Sequence, residues 1–381
     1  VEHIYLDHAA TTPVHPEVLK HMCEIEGEVF GNPSSVHAFG RKARKLVDTA
    51  RLNIAKSIGA GEKEMIFTSG GTEADNLALI GVARANQDKG KHIIVSSQEH
   101  HAVLHTAEQL EKEGFHVTYL QVKEDGKIAV EDVSNALTNE TILVSVMYVN
   151  NETGVVQPIK EIAAELDNHQ AYFHTDAVQA FGLIDIDVRE LGVDMLTVSA
   201  HKINGPKGIG FLYANENVKL QSLQYGGEQE RKRRAGTEDV ARIAGFEKAV
   251  TLAIDEREQR IKTYEGFKQQ FIARLREQEI DFQINGDQQS TIASIVNISF
   301  PNTNVEALLT NLDLDGIAAS SGSACTAGSV EPSHVLTAMF GKGHECTTNS
   351  IRFSFGLANT AENINTAAQR VAKSVKRLSR L

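Results

Sequence analysis

The sequence predicts an α/β protein: a mostly parallel β-sheet covered by helices on both faces, joined to a smaller α+β unit. Three observations predict it. From about residue 64, short apolar runs rich in Ile, Val, Phe and Tyr alternate with longer amphipathic stretches. A long charged segment, roughly 240–278, interrupts that alternation. Beyond it, "SIVNISF" (294–300) alternates apolar and polar residues with the two-residue period of a strand.

The elements follow in order. "EMIFTSG" (64–70) reads as the first buried strand. "GTEADNLALIGVARAN" (71–86) reads as the helix after it, with Leu77, Ile80, Val82 and Ala83 at helical spacing. Next come the strand "HIIVSS" (92–97), a helix near 101–113, the strand "HVTYLQV" (116–122), a helix near 130–137 and the strand "ILVSVMYVN" (142–150). A helical "KEIAAELDNH" leads to "AYFHTD" (171–176), then to the close pair "MLTVSA" and "GIGFLYA". Only "HKINGPK" joins that pair, so a local antiparallel pairing is expected there. The charged segment reads as one long helical connector ending "YEGFKQQFIARLREQEI". "SIVNISF", a cysteine-bearing loop, "SIRFSFG" and a final helix from about 361 make up the smaller unit. The expected division is a large unit over 14–257 and a small one built from 1–13 and 258–381.

Composition narrows the function. The chain has 381 residues, 41% hydrophobic and 23% charged, enough for a large core. Its net charge of -12 weighs against direct nucleic-acid binding, which needs a basic face. The one basic run, "ERKRRAG" (230–236), reads as a local anion site or solvated surface. Cys23, Cys325 and Cys346 are the only cysteines, without a CxxC, so a disulfide framework is not expected and a reducing, cytoplasmic location is. Cys23 reads as buried structure. The first residues lack the apolar core of a signal peptide, and no run approaches ~18 apolar residues, so no membrane association is expected.

Cys325 lies in "SSGSACTAGSVEP" (320–332), among small residues that read as an exposed loop. An exposed thiol is a liability unless its reactivity is used. Lys202, in "SAHKINGPKGIG", follows an apolar strand, where desolvation would make its amine nucleophilic. Asp176 ends the strand "AYFHTD", at the sheet edge where α/β proteins bind ligands, and Gln179 follows it. Taken alone, Asp176 reads first as a helix N-cap and Lys202 as a surface residue. "FTSGGTEADN" (67–76) is strand, glycines, helix start; Gly70, Gly71 and Thr72 there would offer backbone N–H groups to a phosphate, with Ser199 and His201 as further donors. His100, at the end of "HIIVSS", could stack on an aromatic cofactor and move protons. Its neighbours His101 and His105 lack supporting ligand spacing, so no stable metal site is expected. Arg352 in "NSIRFSFG" offers a planar fork to a carboxylate, and Asn151 in "VNNETG" follows another strand, where it could hydrogen-bond cofactor or substrate. A lysine, a strand-end aspartate, a glycine–helix phosphate cradle, a histidine and a carboxylate-binding arginine are together what a pyridoxal phosphate enzyme acting on amino acids requires.

At these residues the chain resembles the cysteine desulfurases of the NifS/IscS type, within the fold-type I pyridoxal phosphate enzymes. The resemblance runs through "YLDHAATTP", "GNPSSVHAFG", "TSGGTEADNLAL", "NNETG", "HTDAVQA", "SAHKINGPKGIG", "RRAGTEDV" and "SSGSACTAGSVEPSHVL" to "SIRFSFG". It implies a large domain with a mostly parallel seven-stranded sheet and a smaller α+β domain carrying the cysteine loop. It implies that Lys202 holds pyridoxal 5'-phosphate as a Schiff base, Asp176 the ring nitrogen and Gln179 the ring hydroxyl, with His100 stacked on the ring. Gly71, Thr72, Ser199 and His201 would bind the phosphate, joined by Thr237 of a second subunit in a homodimer. Asn151 and Arg352 would hold the substrate carboxylate, with Asn32 nearby.

Lys202 would then remove the α-proton of L-cysteine, and the Cys325 thiolate would attack the substrate sulfur, leaving a persulfide and alanine. The sulfur would pass to an acceptor protein, an iron–sulfur scaffold or a thiolation enzyme, with Cys325 at most a transient cluster ligand. Selenocysteine lyase would use much the same site. An aminotransferase or plain lyase on this fold has no use for Cys325, and a non-catalytic scaffold would need neither Lys202 nor Asp176.

Overall fold

The computed structural model describes residues 2–322 and 331–379, with the backbone alone at the short strands Cys325–Thr326 and Ser329–Val330. In chain order the strands are β1 (Ile4–Tyr5), β2 (Met65–Thr68), β3 (His92–Ser96), β4 (His116–Leu120), β5 (Thr141–Ser145), β6 (Tyr172–Asp176), β7 (Met195–Ser199) and β8 (Gly210–Ala214). They continue as β9 (Gln283–Ile284), β10 (Ile295–Ser299), β11 (Ile317–Ala318), β12 (Cys325–Thr326), β13 (Ser329–Val330) and β14 (Ser350–Ser354).

β2 to β8 form one seven-stranded sheet in the order β2-β8-β7-β6-β5-β3-β4. The pairs among β3 to β7 are parallel. β8 is antiparallel to both β7 and β2, so the pairing expected at "HKINGPK" is present and extends one strand further. β2 therefore points the same way as the parallel strands. All residues of β2, β3, β5, β7 and β8 are buried, as their apolar runs demand. Alternate side chains go to opposite faces: Ile93 and Val95 pack under the helices Gly71–Ala85 and His101–Lys112, while Ile94 joins Phe67, Phe173 and Phe211 on the other side.

Two helices, Pro16–Glu28 and Ala38–Lys56, precede the alternation; Ala43, Val47, Ala50 and Ile54 form the buried stripe of the second. On the first, Val18 points inward with Met22 and Ile25 partly buried beside it, which turns Cys23 outward; it is exposed, contrary to expectation. The charged connector is two helices, Val240–Asp255 and Arg257–Glu277, broken at Glu256. The break separates two cores. Ile243, Phe246 and Val250 pack on the large sheet, whereas Tyr264, Phe267 and Phe271 pack in a third cluster with Ile4, Leu6, Val296, Phe353 and Val371. In that cluster β10 lies between β9 and β14, antiparallel to both, and β1 pairs in parallel with β11.

The basic run is part internal and part solvated: Arg231 and Lys232 are exposed, whereas its other charges have partners inside the fold. Glu230 forms a bidentate pair with buried Arg51, at 2.6 and 2.7 Å. Arg233 donates to the carbonyls of Lys63 and Met65, and Arg234 pairs with Glu73 at 2.8 Å. Internal partners thus occupy Glu230, Arg233 and Arg234. No helix among the described residues is long and apolar enough to cross a membrane.

Candidate active site

The carboxyl ends of β2, β3, β5, β6 and β7 all reach one edge of the sheet, where ligand sites of open α/β sheets form. A cavity of about 390 Å³ opens there. Its lining draws Gly71 and Thr72 from beyond β2, His100 from beyond β3, Asn151 and Glu152 from beyond β5, Asp176 and Gln179 from β6 and its exit, and Ser199, His201 and Lys202 from β7 and its exit. Arg352 of β14 and Ala9, beyond β1, close it. The size suits a small organic ligand.

Lys202 ends a single 3-10 turn after β7 and donates from Nζ to the carbonyls of Ala9 and, at 2.8 Å, Ala10. Loss of hydration, then the nearby Arg352 guanidinium, lower its pKa to about 7, despite the opposing pull of Asp176 and Asp7. Asp176 accepts the backbone N–H of Val178 at 2.9 Å; burial lifts its carboxyl to about 6, against that bond and Lys202. A cation placed against Asp176 would reverse that shift. His100 caps the helix His101–Lys112, its Nδ1 accepting from Ala102 N–H at 3.1 Å, so the neutral ring carries its proton on Nε2. Burial and Lys202 hold it near 4, and His201, whose Nδ1 meets Thr11 Oγ1 at 3.1 Å, is lowered to about 4 in the same way.

Beneath β2's exit, Gly70 takes a φ of +151° that favours glycine and opens the helix Gly71–Ala85. Gly70, Gly71, Thr72, Ser199, His201 and Lys207 line a recess continuous with the cavity wall, a helix N-terminus with hydroxyl and cationic donors around it. Arg352, 4% exposed, donates from Nη2 to Asp7 Oδ1 at 2.7 Å and from Nη1 to the Asn151 carbonyl at 3.0 Å. Arg352 Nε and Asn151 Oδ1 are buried without a hydrogen-bond partner among the described residues. A carboxylate in the cavity would find a ready donor in that Nε. Gln179 also lines the cavity, with Nε2 donating to Ala9 O at 2.9 Å.

Sequence reasoning missed the acidic layer around these groups. Asp75, Glu99 and Glu152 are all buried. Burial, then Asp176, push Asp75 well above the usual carboxyl range. Glu99 accepts from Ser96 Oγ at 2.5 Å and Met147 N–H at 2.7 Å, yet burial lifts it to about 8. His174, lowered to about 3 by burial, bonds Ser145 and Thr197 at 2.8 and 3.0 Å and stands 3.6 Å from Asp75. The signal for this layer was present: an acidic residue in the turn that follows an apolar run, as in "SSQEH" and "VNNETG". The histidines His101 and His334 also face the cavity, their rings 4.6 Å apart, with His334 Nε2–H donating to the Glu99 carbonyl at 2.9 Å. Among the described residues, no group of three or more His, Cys, Asp or Glu could hold a metal ion.

Three expected residues do not join this lining. Asn32 sits in an exposed turn, its side chain accepting Ser34 N–H at 2.9 Å. Thr237 lines a separate open recess beside Tyr225, which is exposed. The side chain of Cys325 lies outside the described residues, although Ser320 and Gly322, which lead to it, line the cavity.

The donor set fits pyridoxal phosphate: an amine of lowered pKa, a buried strand-end carboxylate, an imidazole beside them and a glycine-opened helix terminus. Comparison with known proteins agrees. The profile of the family "Aminotransferase class-V" matches residues 4–366. The Bacillus subtilis (strain 168) protein named IscS 1 is 58% identical over 379 residues, covering all of both chains. The "Cysteine desulfurase IscS" of Clostridium botulinum (strain Kyoto / Type A2) is 47% identical, covering 98% of this chain and 94% of its own. Among solved structures, a "NifS-like protein" superposes with a TM-score of 0.92 at 32% identity, covering 99% of this chain and all of the other. "SspA in complex with cysteine" gives a TM-score of 0.82 at 37% identity, covering 92% of this chain and 98% of the other. The chain belongs to the class-V aminotransferase family.

Proposed function

We infer that the chain is a pyridoxal phosphate-dependent cysteine desulfurase, which takes sulfur from L-cysteine, releases alanine and passes the sulfur to an acceptor protein. The observation that carries the reading is the position of Lys202: an amine of lowered pKa in a cavity with Asp176 and His100, within the electrostatic reach of Arg352. The relatives named cysteine desulfurase and the cysteine complex of SspA support the choice of substrate.

When bound, pyridoxal phosphate supplies an electron sink for negative charge at the substrate α-carbon. Lys202 would carry it, Asp176 would face its ring nitrogen, Gln179 its hydroxyl and His100 its ring; Gly71, Thr72, Ser199 and His201 would take the phosphate. Arg352 and Asn151 hold the substrate carboxylate, and the guanidinium fork fixes the α-carbon relative to Lys202. With a pKa near 7, the Lys202 amine is substantially unprotonated at neutral pH and can take the α-proton. The Cys325 thiolate takes the substrate sulfur: an S–S bond forms, the substrate C–S bond breaks, and the β-carbon gains the electron pair and a proton to give alanine. Sulfur and electrons balance without an external oxidant.

A large domain over 14–257 and a small one from 1–13 and 258–381 would place Lys202 on one and Arg352 on the other. Thr237 would complete the phosphate site from a second copy, since it stands apart from the cavity within one chain. A reducing, cytoplasmic setting suits a working thiol. The test is peptide mass after incubating the holoenzyme with L-cysteine and no reductant. The reading expects the Cys325 peptide to gain one sulfur atom, matched by released alanine. Alanine without sulfur on Cys325 would overturn it.

A further inference from the structure

The acidic residue of "NNETG" has no part in the scheme above, yet it occupies a distinctive place. Glu152 is fully buried and lines the cavity. Its backbone is held rigidly. Asn150 Oδ1 accepts the N–H groups of Glu152 and Thr153 at 2.9 and 3.0 Å, and Asn297 Nδ2 donates to the Glu152 carbonyl at 3.3 Å. The carboxyl therefore stands on a fixed post.

Two segments meet that carboxyl, and they flank the residues that carry Cys325. On the far side, Ser333 Oγ donates to Glu152 Oε2 at 2.5 Å, while itself accepting Leu336 N–H at 3.1 Å as N-cap of the helix His334–Phe340. On the near side, Gly322 lies so close that a Cβ there would come within 2.6 Å of the Glu152 carboxyl. Its φ of +85° favours glycine as well. Ser320, two residues earlier, is bridged to Arg352 on β14, with Arg352 N–H donating to Ser320 O at 2.6 Å. Glu152 Oε1 is buried with no hydrogen-bond partner among the described residues. A buried carboxyl kept beside a glycine and a serine, with one oxygen unpartnered, is costly unless its position is used.

We propose that Glu152 is a positioning residue for sulfur transfer: its carboxyl is bonded to one stem of the Cys325 segment at Ser333 and packs against the other at Gly322. This rests on the reading of Cys325 as the sulfur acceptor. Glu152 touches neither bond made nor bond broken; it acts through the stems.

The test uses the holoenzyme with Glu152→Ala, Glu152→Gln, Ser333→Ala and Gly322→Ala, the last also combined with Glu152→Ala. The readouts are cofactor absorption, KM and kcat for alanine release, and the alkylation rate of Cys325 by iodoacetamide, followed on its own peptide because exposed Cys23 would react too. Glu152→Ala is expected to keep the cofactor absorption and KM, and to lower kcat roughly ten- to a hundredfold through misplacement of the acceptor. It should change the alkylation rate of Cys325 in parallel. Glu152→Gln should restore most of kcat, since its amide oxygen still accepts from Ser333. Ser333→Ala should reproduce the defect if Glu152→Ala does not fold. Gly322→Ala should be impaired alone and less than additively impaired with Glu152→Ala, which removes the clashing carboxyl. Wild-type kcat and alkylation in both Glu152→Ala and Ser333→Ala, or additive losses in the double variant, would overturn the proposal. A wild-type enzyme that forms no persulfide on Cys325 would instead overturn the functional reading on which it rests.

Discussion

The Arg352 guanidinium meets the Asp7 carboxylate at 2.7 Å, joining the exit of the first strand to the wall of the cavity. A second bond, to the Asn151 carbonyl at 3.0 Å, holds the same group from the large sheet. The fork is thus oriented before any substrate arrives, and its Nε remains without a partner among the described residues. Arg352→Ala should raise KM for L-cysteine by roughly ten- to a thousandfold, the loss of a charge-assisted pair, with a smaller effect on cofactor binding. Arg352→Lys should not restore it, because a point charge lacks the planar fork. Steady-state kinetics checks both.

Lys202→Ala should reduce alanine formation by roughly 10²- to 10⁴-fold, the range for removing a proton-transfer group. The same variant should release its cofactor on dialysis. Retained activity in Lys202→Ala would show that another group takes the α-proton.

Cofactor loading of the apoprotein should depend on pH in a particular window. Burial and Arg352 bring Lys202 from 10.5 to about 7, so its amine becomes available as pH rises through 7. The loading rate should climb to about pH 7–8 and then level off. A rate still climbing toward pH 10 would mean that Lys202 is solvated like a surface lysine.

Glu99 makes an opposite prediction for stability. Its folded value, about 8, lies above the ordinary 4.5, so the folded chain keeps a proton that the unfolded chain has lost between those values. Apoprotein stability should therefore fall as pH rises through that window. Glu99→Gln removes the titration and should reduce the decline by on the order of a few kcal/mol. Denaturant midpoints of wild type and Glu99→Gln across the window check it; parallel curves would contradict it.

Strands were the most legible part of the fold, because β2, β3, β5, β7 and β8 are short apolar runs buried on both faces. Their ends then pointed to Asp176, Ser199 and Lys202, which need no tertiary knowledge beyond the strand direction. The helices before residue 57 were less legible. Ala43, Val47, Ala50 and Ile54 have helical spacing but are diluted by charged neighbours. The break at Glu256 was hidden because both helices are amphipathic and differ only in which core they face. Cys23 was misread because burial on Pro16–Glu28 depends on a stripe set by Val18, Met22 and Ile25. Asp75, Glu99 and Glu152 were overlooked because sequence alone gives an acidic residue a solvent-facing reading, whereas here each is buried at the carboxyl edge of the sheet.

The most direct test of the central claim is a paired measurement on wild type and Cys325→Ser: cofactor absorption, then alanine released from L-cysteine. Both proteins should bind the cofactor equally, and only wild type should release alanine at an appreciable rate. Alanine release by Cys325→Ser at the wild-type rate would contradict it, because the substrate sulfur would then leave without passing to Cys325.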